Sequence, residues 1–141
     1  MSDINWPALQ SAAQQAAAQA YAPYSQFPVG VAVLAESGNI YTGCNVENAS
    51  YGGTVCAERN AIAAAVVAGE RKFRALLVYT PQPALTPPCG ICRQVIAEFF
   101  SPDAPVASCN HLQQQQLWTL GELLPAAFTP TYLANSSKVG A

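Results

Sequence analysis

A chain of 141 residues is long enough to bury one substantial core and too short for two, so one domain over residues 1–141 is expected. Apolar residues make up 51% and charged residues only 10%, which excludes a disordered chain. A net charge of −2 argues against a nucleic-acid-binding surface, and no apolar run approaches the roughly 18 residues of a membrane span.

Residues 7–20, rich in Ala and Gln, predict a helix with Asn5 as its cap, Pro7 in its first turn and Pro23 as its stop. Residues 24–28 read as loop. Residues 29–35, a turn at residues 36–39 and residues 40–44 read as a β-hairpin. The polar, glycine-containing residues 45–55 read as loop. Residues 56–68, Ala-rich and apolar almost all round, predict a buried helix closed by Gly69. A strand over residues 75–80 leads into a stiff loop with Pro81, Pro83, Pro87 and Pro88. A helix over residues 89–100 follows, closed by Ser101 and Pro102. Weaker strands at residues 105–109 and 116–119 precede a helical turn at residues 120–124, and the tail after Thr129 reads as loose. The order α-β-β-α-β-α-β-β predicts an α/β sandwich with a mixed sheet.

The first seven residues carry Asp3 and no basic residue, so no secretory signal is read there. Five cysteines in such a chain point to a reducing, cytoplasmic setting, where thiols serve as ligands or nucleophiles. The low charge also suggests a homo-oligomer that covers apolar surface between subunits.

Two segments carry chemistry: Cys56-Ala57-Glu58-Arg59 and Pro88-Cys89-Gly90-Ile91-Cys92-Arg93. Each opens a predicted helix after a strand and loop, the place where α/β proteins gather their sites. Cys89 and Cys92 share one face of a helical turn, and Cys56 could be a third thiolate. Three protein ligands and a water make a catalytic zinc site. Arg59, three residues after Cys56, could hydrogen-bond the sulfurs and offset their surplus negative charge. Glu58 can converge with Cys56 only if Cys56 lies at the helix boundary with a non-helical backbone. A carboxylate there can shuttle protons. Each feature also has a plainer reading. A lone CxxC serves redox dithiols and structural zinc, and Glu58 alone would read as an ordinary helix-start carboxylate. His111 fits no ligand spacing, and Cys44 and Cys109 read as buried apolar residues.

Five blocks stand in order along the chain. They are Tyr24-Ser25-Gln26-Phe27-Pro28-Val29-Gly30, Thr42-Gly43-Cys44-Asn45-Val46-Glu47-Asn48-Ala49-Ser50-Tyr51, the two segments above extended to Gln94, and Leu123-Leu124-Pro125-Ala126-Ala127-Phe128. Together they resemble the short, homotetrameric cytidine deaminases, over about residues 21–128. The resemblance implies a three-layer α/β/α sandwich around a mixed, mainly five-stranded sheet. It implies one zinc per subunit on Cys56, Cys89 and Cys92, with Glu58 as the proton shuttle. Asn45 and Glu47 would bind the ribose hydroxyls, Phe27 would pack on the pyrimidine, and the backbone at Ala57 would read the base edge. Ala49, Tyr51 and Phe128 would reach a neighbour's site in a tetramer. The implied reaction is hydrolytic deamination of cytidine and 2′-deoxycytidine, with release of ammonia, in pyrimidine salvage. Cys rather than His at the first ligand position favours free nucleosides. Without a cluster of Lys or Arg near these blocks, a nucleoside fits better than a nucleotide. The competing readings are a deaminase of a cytosine-containing antibiotic such as blasticidin S, and a thiol–disulfide oxidoreductase using Cys89 and Cys92. The second leaves Cys56, Glu58 and Arg59 without a role.

Overall fold

The computed structural model describes residues 3–134. Helix α1 (Trp6–Ala17) begins where its sequence signals lie: Asn5 Oδ1 accepts from Ala8 N at 3.1 Å, and Pro7 sits in the first turn. It ends three residues before residue 20 and well before Pro23. Residues 18–20 tighten instead, with Gln19 N donating to Ala16 O and Ala20 N to Ala17 O. Strands β1 (Gly30–Ala35) and β2 (Ile40–Cys44) form the hairpin, whose turn uses Gly38 at φ +96°. Residues 45–55 are more ordered than a loop reading allows. Val46 bridges Val55, and Tyr51–Gly53 forms a 3₁₀ turn.

Helix α2 (Ala57–Val67) is followed by Gly69 at φ +103°, as a helix-closing glycine should be. Strand β3 (Phe73–Thr80) starts two residues earlier than its apolar pattern suggested, because Phe73 still pairs with Ala35 beyond a bulge that leaves Arg74 of β3 as the extra residue between Leu34↔Ala75 and Ala35↔Phe73. Helix α3 (Gly90–Phe99), strands β4 (Pro105–Asn110) and β5 (Gln115–Thr119), and the short α4 (Leu120–Leu123) complete the order. Residues 130–134 form a further helical turn where a loose tail was expected, and residues 135–141 of that tail lie outside the described residues.

The sheet order is β2-β1-β3-β4-β5, with β3 and β4 parallel and the other pairs antiparallel. Alternation along the strands builds two cores. Val31, Val33, Leu76, Val78 and Val106 face α2, α3 and α4, through Ala61, Ile62, Ile96 and Leu120. Ala32, Leu34, Leu77, Tyr79 and Cys109 face Leu9, Ala13 and Ala17 of α1. The result is the three-layer α/β/α sandwich with a mixed five-stranded sheet. Two glycines set how closely the layers approach. A Cβ on Gly30 would lie 1.9 Å from Ala13 O of α1, and one on Gly43 would lie 2.4 Å from Ala61 N of α2.

One expectation is corrected. Helix α2 is not buried all round: Ala63, Ala64 and Val67 are exposed, Val67 by 90%. It lies in an outer layer, so only the face with Ala57, Ala61, Ile62 and Ala65 meets the sheet. Cys44 is likewise half-buried rather than buried, whereas Cys109 is fully buried.

Candidate active site

Sheet direction brings the two chemical segments together. Both β2 and β3 run antiparallel to β1, so they point the same way. Gly30 pairs with Cys44 on one side and Tyr79 on the other, so the two strands end level. The chain then enters α2 from one and α3 from the other, and the two helix starts meet.

Cys56 and Cys89 are the residues that precede these helices, both with extended backbone (φ −71°, ψ 156° and φ −71°, ψ 169°). Cys92 lies in the first turn of α3, so the CxxC pair straddles a helix boundary rather than sharing a helical face. The Sγ atoms of Cys56, Cys89 and Cys92 all lie within 4.8 Å of one another, and those of Cys56 and Cys89 are 3.9 Å apart. Tetrahedral zinc with bonds of about 2.3 Å spaces its sulfurs by about 3.8 Å, so this donor set fits zinc. His111 lies apart in the sequence, in the exposed β4–β5 turn.

The extended backbone at Cys56 lets Glu58 turn towards the same place. Glu58 is only 5% exposed. Burial pushes its carboxyl up to about 7, and the neighbouring Cys56 charge adds to the effect. Arg59 Nη2 lies 3.7 Å from Cys56 Sγ and 3.4 Å from Thr54 O. A hydrogen bond from the Cys92 thiol and then the Arg59 guanidinium hold Cys56 down at about 5. Cys92 is pushed the other way, by its bond to Cys56 and by burial. The cluster therefore already favours one thiolate, with Arg59 against it.

Cys56, Glu58 and Cys89 line a cleft of about 330 Å³, large enough for a small organic ligand, with the fully buried Cys92 behind them. Phe27, Asn45, Glu47, Ala57 and Glu58 line it beside Cys56 and Cys89. Asn45 Nδ2 donates to Phe27 O at 2.9 Å, and its Oδ1 accepts from Val29 N at 2.9 Å. Glu47 Oε1 accepts from Tyr24 N at 3.0 Å and Ser25 N at 3.1 Å, and Ser25 Oγ donates to its Oε2. These bonds hold the Glu47 carboxyl below the usual carboxylate range, the Ser25 hydroxyl foremost.

The cleft has further walls that the sequence reading did not assign. Ser25 and Val29 flank Phe27 in a block already singled out; Thr86 and Pro87 lie just upstream of Cys89. Val78 and Thr54 carry no sequence signal beyond a strand and a loop. Ala49, Tyr51 and Phe128 are exposed and do not line this cleft within the chain. Tyr51 packs edge-on against Tyr24 at 6.1 Å, and Phe128 stacks on Tyr132 at 5.7 Å.

Comparison with known proteins agrees with this geometry. Residues 7–108 match the family described as "Cytidine and deoxycytidylate deaminase zinc-binding region". The cytidine deaminase of Sporosarcina psychrophila is 47% identical over 125 residues, covering 89% of this chain and 92% of that protein. That of Mycobacterium tuberculosis is 42% identical over 128 residues, covering 91% of this chain and 92% of its own. The crystal structure of the Burkholderia pseudomallei cytidine deaminase superposes with a TM-score of 0.84 at 43% identity, covering 89% of this chain and all of that one. With three thiols spaced for zinc at paired helix starts, and with that match over most of its length, the chain belongs to the cytidine and deoxycytidylate deaminase family.

Proposed function

We infer that this protein catalyses the zinc-dependent hydrolytic deamination of cytidine and 2′-deoxycytidine to the corresponding uridines and ammonia. The observation that carries the reading is the convergence of a three-thiol cluster and one buried carboxylate at a nucleoside-sized cleft that Cys56, Cys89 and Glu58 line. We read residues 1–141 as one domain.

Cys56, Cys89 and Cys92 hold the zinc, and Arg59 offsets the surplus thiolate charge. Bound zinc supplies Lewis-acid activation of the attacking water. Glu58 takes a proton from that water and gives it to ring N3. It then carries the second proton to the amino group, which leaves C4 as ammonia. Phe27 packs on the pyrimidine, and the Ala57 backbone meets the base edge. Asn45 and Glu47 hold the ribose hydroxyls. Each is preorganised by its loop and keeps free capacity: one hydrogen and one lone pair on Asn45, one acceptor position on Glu47.

The competing redox reading would leave Glu58 and Arg59 idle beside the thiols. All five cysteines are free, which suits the cytoplasm. A reaction that returns a reusable nucleoside suits pyrimidine salvage. Exposed Tyr51 and Phe128 suit a homotetramer in which each subunit completes its neighbour's cleft. No helix among the described residues is long and apolar enough to cross a membrane.

The test is ammonia release from cytidine by the zinc-loaded protein. The Glu58→Gln variant should fold, hold zinc and lose about 10²–10⁴-fold in rate. Equal rates would remove Glu58 from the mechanism. Glu47 also sets the substrate class, because its carboxylate repels phosphate. Cytidine 5′-monophosphate should be turned over far more slowly than cytidine, and comparable turnover would refute that role.

A further inference from the structure

We propose that Asn110 is a positioning residue for this cleft, clamping one end of the proline-rich loop whose other end Arg93 holds. The proposal rests on the deaminase reading of the cleft. Asn110 ends β4, pairs with Thr80 at the end of β3, and is fully buried. It therefore sits at the same edge of the sheet as the paired helix starts. Its Oδ1 accepts from Leu112 N at 3.0 Å and Gln114 N at 3.1 Å. Its Nδ2 donates to Gln114 Oε1 at 2.8 Å and to Pro83 O at 3.0 Å. Every hydrogen and lone pair of the amide is used, so the network fixes its orientation.

The first two bonds are what an Asn does for its own turn. The bond to Pro83 is of another kind, for it crosses to the loop between β3 and α3. Ser108, by alternation along β4, and Thr80, by its pairing with Asn110, lie on the same sheet face, and their buried hydroxyls find no partner among the described residues. Of these three polar side chains, Asn110 alone carries the tether. At the loop's other end Arg93 Nε donates to Pro88 O at 2.7 Å, and its Nη1 donates to Leu123 O at 3.0 Å.

Between the two clamped carbonyls lie Thr86 and Pro87, which wall the cleft beside Cys89. Pro81, Pro83, Pro87 and Pro88 each fix φ, so the loop has few soft dihedrals. A shift at Pro83 is passed along to Thr86 and Pro87 rather than absorbed. The strap holds the substrate wall, while the thiols are held by their own helix starts. Loosening it should cost substrate affinity more than chemistry.

The experiment uses the zinc-loaded full chain with Asn110→Asp and Asn110→Ser. Both variants keep an acceptor for the turn and lose the Nδ2 amide that donates to Pro83 O. The neutral Ser variant serves if a buried carboxylate unfolds the protein. The expected result has two parts. KM for cytidine rises about tenfold while kcat changes less than about threefold and zinc content is kept. Amide exchange at Gln82, Ala84, Leu85 and Thr86 accelerates at least about tenfold, while exchange in β5 stays as in wild type. Unchanged loop exchange overturns the clamp. Faster loop exchange with unchanged KM overturns its role in positioning, as does a fall in kcat at constant KM. If the wild type itself releases no ammonia from cytidine, the deaminase reading fails, and loop exchange alone decides the clamp.

Discussion

Glu58 owes its place in the cleft to the extended backbone of Cys56. Had Cys56 been helical, the two side chains would diverge by about 200° around the axis. The same local logic governs a carboxylate far from the cleft. Glu70 Oε2 accepts from Ser37 Oγ at 2.6 Å and from Tyr41 OH at 2.9 Å, joining the segment after α2 to the β1–β2 hairpin. The Ser37 hydroxyl, then that of Tyr41, holds its carboxyl below the ordinary carboxylate value. A lowered folded-state pKa stabilises the fold above the unfolded value near 4.5, and that contribution fades as pH falls through the folded value. Wild type should therefore melt higher than Glu70→Gln at pH 7, and the gap should narrow as pH falls below 4.5 and through the lowered folded value. A gap independent of pH in thermal melts would show that packing, not charge, links Glu70 to the hairpin.

At the scale of elements, the cleft depends on how closely α2 lies on β2. Gly43 makes that approach possible, because a Cβ there would meet Ala61 N at 2.4 Å and Ala57 O at 2.7 Å. Both are backbone atoms of the helix that follows Cys56 and carries Glu58. Gly43→Ala should destabilise the protein by about 1–3 kcal/mol and lower its cytidine activity by more than the folded fraction accounts for. Loss of stability at full specific activity would mean that the helix moves without moving its first turn. The element types were legible because helix and strand periods, prolines and capping residues act within a few residues. The ends were less so. Helix α1 stops at Ala17 through short-range turns rather than at Pro23, and Phe73 joins β3 only because a bulge at Arg74 restores its pairing with Ala35 of β1.

For the whole molecule, the exposed apolar residues pose the main question. Tyr24, Tyr51, Val67, Ile91, Phe128 and Tyr132 are all more than half exposed in the single chain, and charged residues are few. Water contact over so many apolar groups is unfavourable, and a second copy of the chain would relieve it. Light scattering at micromolar concentration should give the mass of an oligomer, four chains on the proposed reading. A monomer at that concentration would overturn the shared-site reading and return Tyr51 and Phe128 to surface packing. The expectation of an all-round buried α2 bears on the same point. Its outer face is apolar in sequence and bare in the single chain, and one chain has no layer with which to cover it.

The chemistry was written locally. Thiols at CxxC spacing, a Cys-x-Glu-Arg start, two capping positions and the ordered blocks are short-range patterns, and they carried both the donor set and the family resemblance. Their convergence was not local. Cys56 and Cys89 are 33 residues apart, and they meet because β2 and β3 both run against β1 and end level beside Gly30. The tether from Asn110 to Pro83 belongs to the same class. No period, cap or motif marks such a pair, because strand direction and register are settled by the packed sheet and not by neighbours along the chain.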